Sequence, residues 1–238
     1  MCHRFYLKAT DLQAAAAVLK ALVEIDLATR YNIAPSTRIP AIRRKKEGLG
    51  RVLSPLRWGL VPSWAANPET MGTTLANARA ETLAEKPSFK EAFARRRCII
   101  PASGFFEWEQ LASGRRQPWL FERADEKPLL LAGLWECWSA ADGQPLETCT
   151  VITVEPNPLV GRLHDRMPAI LSETGCESWL GEAETGLDAL LRPFPAEAMR
   201  GYTVDPWVNS VAHDDERCIK AYHPDSSQAG DQLNLSLF

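Results

Sequence analysis

The stretch RCIIPASGFFEWEQ, residues 97–110, is where the fold is decided. Residues 98–101 and 105–110 are apolar and aromatic runs split by Ser103-Gly104, which reads as two strands with a turn between them. In the second run, strand alternation puts Phe105, Glu107 and Glu109 on one face and Phe106 with Trp108 on the other. A carboxylate flanked by aromatics is expected to be partly desolvated, which raises its pKa and suits it to proton transfer. Periodicity does not choose between Glu107 and Glu109.

Outward from this stretch the pattern repeats. Further strands are expected at 117–123, 128–137 and 147–154, separated by Asp-Glu-Lys and Asp-Gly turns, and upstream at 38–44 and 50–57 around a polar Lys45–Gly50 turn. Residues 3–9 alternate loosely and read as a short strand. Apolar residues at helical period, opened by a capping-box spacing at Thr10–Gln13, predict a helix over 10–26. A second such spacing, Ser88 with Glu91, predicts a short helix from 88 to 97. Residues 31–35 read as irregular because the residue before proline is pushed out of the helical region. The pattern further predicts a helical turn at 156–163, a loop at 164–168, a brief strand at 169–171, helices at 173–181 and 184–192, a return to the sheet within 201–212, and a frayed tail at 223–238. Hairpin strands with scattered helices make this an α+β chain, not a β-α-β one. There is no internal repeat, linker or nucleotide-binding glycine motif, so one domain is expected over 1–222.

At 238 residues the chain can bury a core without disulfides or metals. The six cysteines, 2, 98, 137, 149, 176 and 218, show no C-x-x-C spacing and no nearby histidine at ligand spacing, so neither a metal nor a cofactor is expected. No leader and no long apolar run is present, so a cytoplasmic protein with free thiols and no membrane partner is expected. The net charge of −3 hides an asymmetry: residues 173–238 carry −8 and residues 1–172 carry +5. The basic part has clusters at 43–46, 95–97 and 115–116, which permits a local anion-binding surface.

Four further features bear on chemistry. Cys2, once Met1 is removed, has a free amine and a thiol on adjacent carbons, and such a 1,2-aminothiol condenses with an aldehyde to an imine and then a thiazolidine. Both groups are partly deprotonated near neutral pH. His164 lies in a short loop entering a strand, where functional side chains tend to be displayed. Asn77 and Arg79, two apart in an extended segment, face the same way, and an amide beside a permanent cation suits a phosphate or sugar. Trp58 and Trp64 are candidates for stacking on unpaired bases.

Taken together, the chain resembles the SOS-response-associated peptidase (SRAP) family, the abasic-site processing proteins that crosslink to abasic sites in single-stranded DNA. The resemblance runs from residue 2 to about 212 and rests on Cys2, YNIAP at 31–35, RWGLVPSW at 57–64, NARAET at 77–82, RCIIPASGFFEW at 97–108 and HDRMPAIL at 164–171. It implies a single SRAP-type domain, α+β, with a β-rich barrel-like core and flanking helices. It also implies Cys2 as the crosslinking residue, with Asn77, Glu107 and His164 completing the active site, since the motif glutamate precedes the tryptophan. Arg4, Arg79 and Arg166 would line the DNA groove, with Pro35 and Trp64 as contacts. Single-stranded DNA containing abasic sites would be the partner of a monomeric protein, nucleoid-associated when engaged. Self-processing peptidase and lyase activities would accompany the crosslink. Two departures stand out: His3 where the family often has Gly, and Phe106 where a hydroxylated aromatic is common. Two rivals remain, a thiol peptidase acting on other proteins and a non-catalytic single-stranded DNA-binding module.

Overall fold

The computed structural model describes residues 2–45, 50–68, 75–139, 143–182 and 185–222. The expected tail at 223–238, with His223, lies outside them, as do most of the Lys45–Gly50 turn, Asp142 of the Asp-Gly turn and the start of the helix expected at 184–192.

Five strands close on themselves: β4 (Arg38–Arg44), β5 (Arg51–Trp58), β7 (Arg97–Ala102), β10 (Leu129–Ser139) and β11 (Pro145–Val154). They run β11-β10-β7-β4-β5, and β5 returns to β11 in a parallel pairing, Thr148 opposite Arg57 and Cys149 opposite Trp58. Closure leaves these five strands without a free edge over the paired length, which is how a barrel avoids edge-to-edge association. Ile39, Ile42, Leu53, Ile99, Leu131 and Val151 are fully buried in the main core.

A second sheet packs on this core. Its order is β13 (Met199–Thr203), β9 (Arg116–Arg123), β8 (Gly104–Gln110), β1 (Phe5–Leu7) and β3 (Arg30–Ile33). Alternation decides what each face meets. Phe5, Phe105 and Phe121 point into the main core, while Tyr6, Phe106 and Leu120 join Val204, Val208 and Cys218 in a smaller cluster beneath the C-terminal turns. Gly104 sits where β1 and β9 crowd β8. A Cβ there would lie 2.7 Å from the Phe121 carbonyl oxygen and 2.8 Å from the Tyr6 ring, so only glycine fits.

The Ser103-Gly104 turn therefore makes no hairpin. It carries the chain from β7 in one sheet to β8 in the other, and the Asp-Glu-Lys turn carries it back from β9 to β10. True hairpins form between β4 and β5, β8 and β9, and β10 and β11.

Several expected elements need correction. The first helix, α1, spans Ala9–Val18, not 10–26. Lys20 takes φ of 50° and turns the chain into β2 (Ala21–Val23), which pairs in parallel with β5. Leu22 and Val23, counted as the helix's apolar stripe, are exposed on that edge strand. Thr10 lies inside α1, so its capping box does not form. Ser88 caps nothing either, because α2 (Lys90–Arg95) begins after an uncapped Phe89. Among the described α-helices the side-chain cap that forms is Ser172, whose Oγ accepts from Gly175 N at the start of α3 (Glu173–Trp179). Residues 30–33 form β3 instead of irregular chain, and the irregularity begins at Ala34. The strand expected at 169–171 is reduced to one bridge, Ile170 opposite Leu131, just after β12 (Met167–Pro168), the last helix is a 3-10 turn at Leu187–Leu190, and the return to the sheet spans only Met199–Thr203.

Three arginines of the basic clusters are structural. Arg43 grips Glu147 with both terminal nitrogens and lies 4.2 Å from the Trp135 ring, and Arg97 donates to the carbonyls of Phe93, Ala94, Trp179 and Gly181. Arg96 pairs with buried Glu136. No helix of the described residues is long and apolar enough to cross a membrane.

Candidate active site

The N-terminal segment reaches its place by strand pairing. Phe5 lies opposite Phe105 and Tyr6 opposite Gly104, and the ladder continues one step outward as Phe106 N donates to the Arg4 carbonyl at 2.9 Å. Residues 2–4 thus run alongside the part of β8 that carries Glu107. Cys2 is fully buried within the main core. Burial, and then the charge of nearby Glu107, pushes the Cys2 thiol well above its ordinary value, so it is a neutral thiol at pH 7.

Glu107 faces the core side of β8 and is 3% exposed. Burial raises its pKa from 4.5 to about 7, with Asp165 adding to the rise. A carboxyl poised there exchanges its proton readily near neutral pH. Glu109 differs: it accepts a hydrogen bond from Trp119 Nε1 at 2.9 Å toward the strand's end. The structure separates the two glutamates that periodicity left equivalent. Phe106 points into the smaller cluster on the opposite face, so the absent hydroxyl lies away from Glu107.

His164 and Asn77 arrive from either side of one strand. The C-terminal end of β11 pairs in parallel with β6 (Asn77–Arg79), Val151 opposite Asn77, and antiparallel with β12, Val154 opposite Met167. His164 sits just before β12. Its Nδ1 accepts from the Arg166 backbone N–H at 3.0 Å, and partial burial lowers its pKa. His3 lies near enough for the charge of His164 to act on it, which links the start of the chain to the His164 loop. Asn77 has both side-chain polar atoms buried, and neither has a hydrogen-bond partner among the described residues. Such an amide is costly unless something else comes to meet it.

The expected DNA contacts divide. Trp64 is 60% exposed in the turn after β5, and Arg79 is exposed at the end of β6. Pro35 is half-buried in the turn where Ser36 takes φ of 71°. Arg4 is half-buried and Arg166 buried, and both also have partners within the protein. Arg4 Nη1 donates to Asn32 Oδ1 at 2.5 Å and to the Val208 carbonyl at 3.0 Å, and the guanidinium lies over Trp108. Arg166 grips Glu81 at 2.8 and 3.0 Å and the Thr153 carbonyl at 2.5 Å. Trp58, a stacking candidate in the sequence, is fully buried with Nε1 on the Ala76 carbonyl. Asn32, Glu81 and Asp165 went unremarked in the sequence. Each lies inside a quoted motif, but only the fold shows what it touches. Among the described residues no group of three His, Cys, Asp or Glu side chains is placed to hold a metal.

Known proteins resemble this chain over most of its length. The model of the SOS response associated peptidase (SRAP) family matches residues 1–211. The abasic site processing protein YoqW of Bacillus subtilis is 39% identical over 227 residues, covering 93% of this chain and 100% of YoqW. The abasic site processing protein HMCES of Gallus gallus is 34% identical over 79% of this chain and 65% of its own length. A crystal structure from Bacteroides thetaiotaomicron superimposes with a TM-score of 0.82 at 27% identity, covering 93% of this chain and all of that one. The chain therefore belongs to the SRAP family, and its fold is that of a solved structure of the same size.

Proposed function

We propose that this protein captures abasic sites in single-stranded DNA as a covalent thiazolidine through Cys2, once Met1 has been released. The observation that carries the reading is the burial of Cys2 beside a carboxyl whose pKa stands at about 7. The free α-amine of Cys2 attacks the C1′ aldehyde of the ring-opened sugar. Water leaves to give an imine, and the thiol adds across the C=N bond, its proton passing to the nitrogen. Glu107 accepts the amine's proton and returns it, and His164 protonates the sugar ring oxygen as the ring opens. Asn77 turns its buried amide to the sugar or to Cys2. If the imine persists, β-elimination of the 3′ phosphate gives lyase activity.

Holding amine and aldehyde together is the main gain, since effective molarities of about 10⁵–10⁸ M are attainable by good orientation. Arg79 and Trp64 supply phosphate and base contacts without sequence preference, so binding weakens as salt rises. The relatives named for abasic site processing support the same substrate. A thiol peptidase acting on other proteins fits less well, because it needs a thiolate and burial here holds Cys2 as a thiol.

The test is an intact-mass measurement before and after mixing with an abasic oligonucleotide. A denaturation-resistant adduct lacking the mass of Met1 is expected. Cys2→Ala abolishes it, and Cys2→Ser leaves only an imine that borohydride traps. An unchanged mass for the parent protein ends the reading.

A further inference from the structure

Two segments distant in sequence bring Asn77 and His164 to the same end of β11, and something must keep them in register. The chain leaves β6 directly into a 3-10 turn, Ala80–Thr82, which carries Glu81. Arg166 lies two residues past His164, its side chain 9% exposed. Both Glu81 oxygens take a guanidinium nitrogen of Arg166, which also reaches the Thr153 carbonyl of β11. This fork is the geometry that arginine makes and lysine does not. It pins three strands at one point, β6 through Glu81, β11 through Thr153 and the approach to β12 through Arg166 itself.

The consequence is read at His164. With its side chain clamped, Arg166 presents its backbone N–H to His164 Nδ1 at 3.0 Å. A second group competes for that nitrogen: Asp165 Oδ1 lies 2.9 Å from it. The two demands are opposite. The Arg166 N–H requires Nδ1 to accept, which leaves hydrogen on Nε2 and makes that nitrogen a donor. Asp165 requires Nδ1 to donate, which leaves Nε2 bare. Besides Asp165 and Arg166, the positive chain terminus acts on this imidazole, and the imidazole in turn acts on His3.

We infer that Glu81, acting through Arg166, is a positioning residue that selects the Nε2–H tautomer of His164 and so makes it a proton donor toward the substrate. The assignment rests on the proposed role of His164 in sugar ring opening. It also gives Arg166 an internal task beside the DNA contact expected of it. Glu81→Gln weakens the fork, the Arg166 backbone relaxes, and Asp165 captures the Nδ1–H.

The test has two arms. Nitrogen NMR of the imidazoles, on the full chain without DNA and above the titration of His164, reads the tautomer directly. The parent protein shows hydrogen on Nε2, and both Glu81→Gln and Arg166→Lys move it toward Nδ1, while Glu81→Asp recovers part of the parent signal. In the second arm, adduct formation with an abasic oligonucleotide slows by about 10–100-fold in the same two variants, as expected for a misaimed group. If one variant fails to fold, the other carries the comparison. A parent tautomer retained in a folded variant overturns the inference, whether or not the rate falls. No adduct from the parent protein, with the tautomer shift still seen, leaves the positioning role standing and removes the proposed reaction instead.

Discussion

Asn32 and Asn77 are both asparagines with buried amides, and they are treated in opposite ways. Asn32, 2% exposed on β3, uses its whole amide: Oδ1 accepts from Arg4, and Nδ2 donates to the carbonyls of Val208, Ser210 and His213 at 3.2, 2.9 and 2.7 Å. Asn77, on β6, buries both polar atoms and meets no partner for either among the described residues. Leaving a buried polar group unmet costs about 1–3 kcal/mol. On the proposed reaction, the unmet amide is the one that meets the substrate. The same chemistry would then serve as glue in one place and as an open socket in the other.

The largest effect expected from this contrast is on stability. Asn32→Ala removes four hydrogen bonds, the acceptor of Arg4 and one donor to each of the Val208, Ser210 and His213 carbonyls, a loss of about 3–4 kcal/mol by chemical denaturation at about 1 kcal/mol per bond. The damage reaches function too, because Arg4 stands two residues from Cys2 and its guanidinium is anchored here. A loss below about 1 kcal/mol would mean that the C-terminal turns hold the N-terminal segment by packing alone.

Two carboxylates on neighbouring strands sharpen the same point. Glu122, on β9, is buried against the Tyr6 hydroxyl, Arg200 Nε at 2.9 Å and the Tyr202 hydroxyl at 3.4 Å. Glu107, on β8, is buried where desolvation lifts its pKa from 4.5 to about 7. Between those two values the folded chain binds more protons than the unfolded one, so stability falls as pH rises through that window. The accumulated cost is about 3 kcal/mol by pH 8. Glu107→Gln removes it: the variant should match the parent near pH 4 and exceed it by up to about 3 kcal/mol at pH 8, while adduct formation collapses. Parallel stability curves for the two proteins would show that Glu107 is not charged against a desolvation penalty.

How much of this was legible beforehand follows from what periodicity can see. The strands of the barrel, 38–44, 98–101, 128–137 and 147–154, were readable because their apolar runs are bounded by turn residues, and the structure extends each by no more than about two residues at either end. The partner sheet was not assignable, since Ser103-Gly104 looks like a hairpin turn whether the chain doubles back or crosses over. Leu22 and Val23 misled because three more apolar residues at the right spacing cannot reveal that Lys20 turns the chain. In the site, Cys2, Asn77, Glu107 and His164 were picked out by their motifs, and the choice of Glu107 over Glu109 required a resemblance. What no pattern carried was the fate of the arginines. Arg4 and Arg166 are as basic as Arg79 in the sequence, yet Asn32 lies 28 residues from Arg4 and Glu81 lies 85 from Arg166. Only tertiary structure decides which groups of the protein a cation meets.

The smallest stability effect belongs to the open socket, and it is the most discriminating. Asn77→Ala removes two buried polar atoms that the protein alone does not satisfy, so the lost packing of a short side chain is offset by a desolvation cost no longer incurred. Stability should stay within about 1 kcal/mol of the parent, on the higher side if it moves. Adduct formation with an abasic oligonucleotide should nevertheless fall at least about 10-fold, because the sugar or the Cys2 amine loses the group that orients it. Measured together, the two numbers separate the asparagines. If Asn77→Ala costs as much stability as Asn32→Ala, the amide on β6 is holding the fold, and the buried polar atoms at the end of β11 point to no ligand.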